Sequence, residues 1–187
     1  MSRTRVSALP VAFVAIAATT FALAGCTPTP EPTPTQSNPP APSPSTEPAG
    51  LTCDEILPTA ALDSALGTSF TLNAAFAPAA GSAGATIAAA GGVACEWSDS
   101  SGATVLVAAG APGTSAIEAG KTLAASAGTP TTIFGASLTA YQSGQGGTTF
   151  DVFSETGNWV QTTSSLYTDP SDVTSIVAQI MQALPSG

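Results

Sequence analysis

The most regular hydrophobic pattern lies at the end of the chain. Apolar residues recur there at intervals of three and four, at Val173, Ile176, Val177, Ile180, Met181 and Leu184. This spacing places them on one stripe of an α-helix. Asp169 can cap the helix, and Pro170 suits its first position. The pattern therefore predicts a terminal helix that packs against the core.

An alternating pattern predicts the strands. Val93, Cys95 and Trp97 are two residues apart, so their side chains share one face of a strand. Turn residues then lead to a hairpin partner. The other predicted strands share this alternation and lie at 70–72, 104–109, 131–141 with a break at Gly135, 148–154 and 158–163. Short turns between the later strands favour a meander.

Two short helices are predicted before the first strand. Thr52 and Glu55 have the spacing of a capping box, in which each side chain bonds the other's backbone N–H. Thr59 can cap a second helix, and Gly67 is placed to end it. The domain therefore begins with helical turns.

The middle of the domain has a weaker pattern. Residues 116–127 predict a helix that includes Leu123, whereas the Ala/Gly-rich residues 74–92 predict a long loop or an irregular edge segment. Helices interspersed with strands give an α+β class: a single domain with an antiparallel meander sheet packed against helices. An immunoglobulin-like sandwich is the alternative, disfavoured by the terminal helix and by the position of Trp97 outside the Cys53/Cys95 pair.

The N-terminus has the pattern of an export signal. Residues 1–25 begin with Arg3 and Arg5 and continue as an apolar, Ala-rich run. A membrane-spanning helix is the alternative, but the run is short, contains a proline and lacks stop-transfer charges. The sequence Leu-Ala-Gly-Cys at 23–26 resembles the lipobox of bacterial lipoproteins. We expect cleavage before Cys26 and acylation of its thiol, which would anchor the chain to the extracytoplasmic face of the cell membrane.

Residues 26–50 form a linker by composition. The stretch contains nine of the sixteen prolines and no large apolar residue, so it cannot form a core. Thr-Pro repeats favour polyproline II, which makes it a semi-rigid spacer between the anchor and the domain at 51–187. A PxxP ligand and a glycosylated stalk are the alternatives.

Charge excludes whole classes of function. The cations are Arg3, Arg5 and Lys121, against twelve carboxylates, and histidine is absent. Nothing could neutralise the phosphates of a nucleic acid, so no nucleic-acid partner is expected. The usual general base and the commonest metal ligand are missing, and no cofactor or metal is expected. Lys121 and Glu118 have the spacing of a helical surface pair.

The three cysteines have two expected roles. With Cys26 assigned to lipid, Cys53 and Cys95 remain as an even pair in an oxidising compartment, and a disulfide is the simplest interpretation. A metal or reactive-thiol pair is the competitor. It lacks histidine, a CxxC spacing and a nearby cation that would lower a thiol pKa.

Several of these motifs together resemble a family. The lipobox, the Thr/Pro linker, Cys53-Asp54, Cys95-Glu-Trp97 and the ending Leu184-Pro185 are similar to an actinobacterial lipoprotein family known as domain of unknown function 3558. The resemblance implies a cell-envelope lipoprotein with a paired-cysteine domain and no assigned activity. The mature chain departs from the family by lacking arginine and histidine.

Two classes of function remain. The first is a non-catalytic binding or interaction module for an unknown envelope ligand or protein. Its candidate contact residues are aromatic and lie on predicted strands or loops, at Tyr141, Trp159 and Tyr167. The second is a hydrolase that uses paired carboxylates, with candidates at Glu96, Asp99, Asp151 and Glu155. We expect the binding module and not an enzyme, because the chain is poor in groups that activate nucleophiles.

Overall fold

The computed structural model describes residues 50–144 and 147–185. The predicted signal segment 1–25 and the lipidation site Cys26 lie outside the described residues, as does the linker up to position 49. The elements of the described residues are, in chain order, α1 Cys53–Ile56, α2 Thr59–Leu66, β1 Phe70–Leu72, α3 Ala83–Ala89, β2 Val93–Asp99, β3 Thr104–Gly110, α4 Thr114–Ala127, β4 Thr129–Thr131, β5 Leu138–Gly144, β6 Thr148–Ser154, β7 Trp159–Ser164 and α5 Pro170–Ala183.

One antiparallel sheet contains the seven strands of the described residues. The single sheet packed against helices confirms the α+β class. The alternative, an immunoglobulin-like sandwich, would have two sheets. The strand order is β1-β2-β3-β7-β6-β5-β4. The expected single meander is therefore divided into two, β1 to β3 and β4 to β7. After β3 the chain passes through α4 to the far edge of the sheet, where β4 lies. The second meander then runs back toward the first, so β7 pairs with β3.

The two faces of the sheet carry different layers, because successive side chains of a strand point to opposite faces. We call the face covered by α1, α2 and α5 the closed face. Its strand residues are large and buried, and include Val105, Val107, Phe150, Val152 and Val160. The main hydrophobic core lies on this side of the sheet.

The predicted terminal helix is confirmed as α5 on the closed face. Four of its stripe residues are buried, and Leu184, just beyond its last residue, is buried as well. Asp169 caps its start, since its Oδ1 accepts from the Ser171 N–H at 2.8 Å. Asp172 completes the capping box by accepting from the Asp169 N–H at 3.0 Å. The local sequence and the packed stripe thus specify the same helix.

The disulfide is also confirmed on this face. Cys53 of α1 and Cys95 of β2 are joined, with their Cα atoms 5.8 Å apart. The predicted capping box of α1 is present, with the Thr52 N–H donating to Glu55 Oε2 at 2.8 Å. Thr59 does not cap α2; it is the first residue of that helix and accepts a hydrogen bond from Trp97 Nε1 at 3.2 Å. The start of the domain is thereby tied to β2 by a covalent bond and a hydrogen bond.

The opposite face, which we call the open face, is covered by α3 and α4. The prediction of a loop or irregular edge at 74–92 was wrong in part, because this stretch contains α3. The Ser82 hydroxyl caps that helix by accepting from the Ala85 N–H at 3.1 Å. Ile87 of the helix is fully buried against the sheet. On α4, Leu123 is 61% exposed.

The remaining strand boundaries follow the predicted pattern in part. The strand expected at 131–141 is interrupted over residues 132–137, which include Gly135 with a φ of +95°. β4 shares only Thr131 with the expected range, and β5 continues three residues beyond it to Gly144. The 148–154 strand matches β6 at both ends. Within the described residues, no helix combines the length and the apolar character needed to cross a bilayer.

Candidate functional site

The open face is built from side chains that sheet register brings into line. One row crosses five neighbouring strands, and its members are paired residue by residue at Ala94, Ala108, Gln161, Asp151 and Tyr141. The row begins with two methyl groups and ends with an amide, a carboxylate and a phenol. The centre of this face therefore combines small apolar residues with polar ones.

The small residues leave a cavity between the sheet and the segment that leads into α3. It has a volume of about 340 Å³. Its floor includes Ala94, Leu106 and Ala108, and its wall includes Phe76 and Pro78. Gln161 and Thr163 contribute polar atoms on one side of this mostly apolar lining. Ligand sites of proteins typically have this composition and a volume of roughly 300–1,000 Å³.

A smaller cavity of about 140 Å³ lies on the other side of Gln161, which lines both. Its lining includes Asp151, Trp159 and Gly120 of α4. The glycine allows the helix to lie directly on the indole, because a Cβ there would be 2.7 Å from the ring atoms of Trp159. The two cavities thus meet at a polar side chain, with a carboxylate beyond it.

Asp151 is the buried carboxylate of the open face, with 7% of its surface exposed. Its Oδ1 accepts two hydrogen bonds, from Trp159 Nε1 at 3.0 Å and from Gln161 Nε2 at 2.8 Å. Burial raises the pKa of this carboxyl above its ordinary value, and the two hydrogen bonds oppose that rise. The donors hold the carboxylate in one orientation beside the smaller cavity.

The other oxygen of this carboxylate has no donor among the described residues. Oδ2 accepts no hydrogen bond from them. Among the described residues, Asn158 Oδ1 is the fully buried side-chain atom that lacks a hydrogen-bond partner, so Asp151 Oδ2 keeps some solvent-accessible surface. The lysine of the domain, Lys121, pairs instead with Glu118 at 3.1 Å, as predicted. The carboxylate is therefore oriented but has no cationic partner in the described part of the chain.

The three candidate contact residues lie in different environments. Tyr167 is 7% exposed in the main core, where burial raises its pKa to about 12 and its hydroxyl bonds that of Thr162. Almost none of its surface is available to a partner. Trp159 is 3% exposed but lines the smaller cavity. Tyr141 is half-buried on the open face, packed edge-on against Phe153.

The four candidate hydrolytic carboxylates do not come together. Asp99 accepts hydrogen bonds within its own turn, which lower its pKa, and Glu155 is exposed in the turn after β6. Glu96 bonds Asn73 at 2.7 Å and lies on β2, three strands from Asp151 on β6. Three strand spacings amount to about 14 Å, whereas glycosidase carboxylates are roughly 5–9.5 Å apart. Among the described residues, no cluster of three or more acidic or cysteine side chains is arranged to hold a metal ion.

The sequence did not indicate the cavity or the role of Gln161. Asp151 was visible only as one of four acids, although its position inside the apolar run of β6 is the pattern of a buried carboxylate. The Ala/Gly composition of residues 74–92 was a second indication, because small residues permit close packing and leave space beside it. Neither feature shows by itself which strands lie next to Asp151 or next to residues 74–92.

Comparison of the chain with models of protein families, with curated proteins and with solved structures finds no match. The resemblance to the lipoprotein family of unknown function therefore depends on its short motifs, the lipobox and the Cys53 and Cys95 surroundings. A function must be inferred from the geometry of the open face.

Proposed function

We propose that this protein is a membrane-anchored lipoprotein of the cell envelope whose domain binds a ligand without turning it over. The observation that carries the proposal is the apolar cavity of about 340 Å³ on the open face. Its lining is mostly apolar, with a few polar groups on one side, as in small-molecule sites. The cavity lies over the interior strands β2, β3 and β7.

The floor of the cavity supports a binding role. An antiparallel sheet commonly packs one face against the core and carries polar side chains on the other. The interior strand β3 instead turns two apolar residues, Leu106 and Ala108, toward the cavity, and Leu106 stays half-buried. An uncovered apolar side chain at the centre of a sheet provides contact area for an apolar ligand.

The arrangement of polar groups favours binding over hydrolysis. Hydrolysis by paired carboxylates needs a second acid near Asp151, and the nearest candidate on this face, Glu96, lies three strands away. The lysine of the domain is engaged with Glu118. We therefore propose a binding module. A hydrolase that uses carboxylates is the alternative function.

The anchor rests on the lipobox and the linker. Acylation of Cys26 would hold the domain outside the membrane on a Pro/Thr-rich spacer. The net charge of −9 repels anionic headgroups, so the acyl group and not the protein surface would attach the chain. The family resemblance, which we propose as the chain's relationship, agrees with this placement.

Mass spectrometry of the mature N-terminal peptide tests the anchor. We expect a chain that begins at an acylated Cys26, and release of the Cys26→Ser variant from the membrane fraction. An unmodified Cys26 in membrane-bound protein, or a chain that still begins at residue 1, would contradict the lipoprotein proposal.

Binding of the neutral, apolar dye Nile red tests the cavity. The probe protein is the secreted full chain carrying Cys26→Ser, measured without detergent. We expect Ala94→Leu to fill the floor and Phe76→Ala to remove the wall, each weakening binding about tenfold, a loss of about 1.4 kcal/mol of apolar contact. Ala119→Leu, at an exposed position of α4, is the matched control and should bind like the parent.

Equal dye binding by all four proteins would contradict the cavity as the ligand site. Hydrolysis of glycoside or ester substrates by the same protein, lost on changing Asp151 or Glu96 to its amide, would replace the binding module with an enzyme.

A further inference from the structure

Two acceptor oxygens without a donor lie where the two cavities meet. Asp151 Oδ2 has no donor from the described residues. Gln161 donates one N–H of its Nε2 to Asp151, and its second N–H and its Oε1 have no hydrogen-bond partner among the described residues. A ligand that satisfies this junction must therefore bring hydrogen-bond donors.

The charge at the junction is also unbalanced. A buried carboxylate is costly unless a cation or several donors compensate it. Asp151 has two neutral donors on one oxygen, and the pairing of Lys121 with Glu118 leaves no lysine for the other. The negative field of a chain with net charge −9 further favours a positively charged ligand.

The apolar cavity defines the rest of the ligand. Its apolar floor lies on β2 and β3, and Asp151 lies on β6, two strands from β3. Two strand spacings amount to about 10 Å. An extended chain of about eight carbons spans this distance, at about 1.3 Å per bond.

From these observations we propose that the ligand is an amphiphilic amine, with its apolar body in the larger cavity and its protonated amino group at Asp151 Oδ2 and Gln161 Oε1. This inference rests on the proposed binding function and names the ligand class of the same site. The ammonium would supply the positive charge that Asp151 lacks among the described residues. Ionisation of Asp151 would then become more favourable on binding, because a neighbouring cation lowers a carboxyl pKa.

Three probes of one chain length separate the charge preference from binding itself: octylammonium, 1-octanol and octanoate, titrated into the Cys26→Ser full chain by calorimetry at neutral pH. We expect octylammonium to bind at least about tenfold more tightly than octanol, which corresponds to one charge-assisted hydrogen bond. Octanoate should bind most weakly, since its carboxylate faces Asp151.

Asp151→Asn is the decisive variant. An asparagine Oδ1 can still accept from Trp159 and Gln161, so the fold should persist. Octylammonium should then bind no more tightly than octanol, while octanol binding stays unchanged. Glu155→Gln removes one exposed negative charge from the turn after β6 and should leave the order of the three probes as in the parent.

The outcomes distinguish the inference from the proposed function. If octanol binds and octylammonium has no advantage, or if Glu155→Gln abolishes the advantage as fully as Asp151→Asn does, the amine inference is wrong and the binding module stands. If none of the three probes binds although Nile red binds in the cavity, only the amine inference fails; if Nile red does not bind there either, both fail. If Asp151→Asn does not fold, the order of the three probes on the parent decides the inference.

Discussion

The closed and open faces are built on the same seven strands but use them differently. On the closed face, β3 presents Val105, Val107 and Ala109, all buried beneath helices. On the open face, the same strand presents Leu106 and Ala108, one of them half-buried beside a cavity. A single strand therefore serves the core with one set of alternate residues and the candidate site with the other.

The difference shows how a small domain can separate stability from binding. The closed face has large aliphatic residues, the capped helix α5 and the disulfide. The open face has small residues, a buried carboxylate and space between α3 and α4. Changes on the closed face should therefore affect mainly the free energy of unfolding, and changes on the open face mainly ligand binding.

Removal of the disulfide should have the largest effect on stability. The bonded cysteines are 42 residues apart, and the chain-entropy model gives about 4 kcal/mol for a loop of that size. We expect a Cys53→Ala/Cys95→Ala protein to lose about that much in urea denaturation. It should still bind Nile red, because the bond links α1 to β2 on the closed face. Unchanged stability together with lost dye binding would reverse the roles assigned to the two faces.

Truncation of the helix stripe should cost nearly as much. Ile180 on α5 is fully buried, and replacing it with alanine should lower the free energy of unfolding by about 2–5 kcal/mol. The matched change on the open side is Leu123→Ala, at a side chain that is 61% exposed, where we expect less than about 0.5 kcal/mol. If both variants lost the same free energy of unfolding in thermal or urea denaturation, the open face would contribute as much to stability as the closed face.

A side chain added under α4 should have an intermediate effect. Gly120→Ala places a methyl group 2.7 Å from the Trp159 ring, so the helix must move outward, at a cost of about 1–3 kcal/mol. We expect a red shift of Trp159 emission as its surroundings become wetter. Ala119→Ser, at the exposed neighbouring position, should change neither the emission nor the stability. An unshifted spectrum would contradict the direct contact of helix and indole.

The smallest expected effect is a pH dependence of opposite sign at two carboxylates. Burial raises the pKa of Asp151 above 3.8, so its folded form binds a proton more readily than the unfolded chain does. The stability of the parent relative to Asp151→Asn should therefore increase as the pH falls through that raised pKa, and level off below 3.8. Denaturation midpoints from neutral pH to pH 3 measure it.

Asp169 provides the matched control for this titration. Hydrogen bonds from Ser171 lower its pKa below 3.8 at an exposed helix cap. Its contribution is present above the ordinary value and is lost as the pH falls through the lowered pKa. Relative to Asp169→Asn, the parent should therefore lose stability on acidification. The same sign at both sites would contradict the burial of Asp151.

The amino-acid sequence by itself determined the elements whose signals are local. The stripe from Val173 to Leu184 and the Asp169-Pro170 start specify α5, because helical periodicity and capping involve neighbours within a few residues. Alternation and flanking turns specified β6 at both ends. The even count of cysteines left after Cys26 specified the disulfide partners, although not where the bond would lie.

Only the tertiary structure decided which strands became neighbours and what lies between them. The pairing of β3 with β7 joins residues about fifty positions apart, and no local pattern encodes it. That pairing places Gln161 beside Ala108 and, through β6, beside Asp151, so it creates the junction of the two cavities. It also separates Asp151 from Glu96 and buries Tyr167 while leaving Tyr141 half-covered. The sequence contains every residue of the candidate site, but their proximity depends on long-range packing.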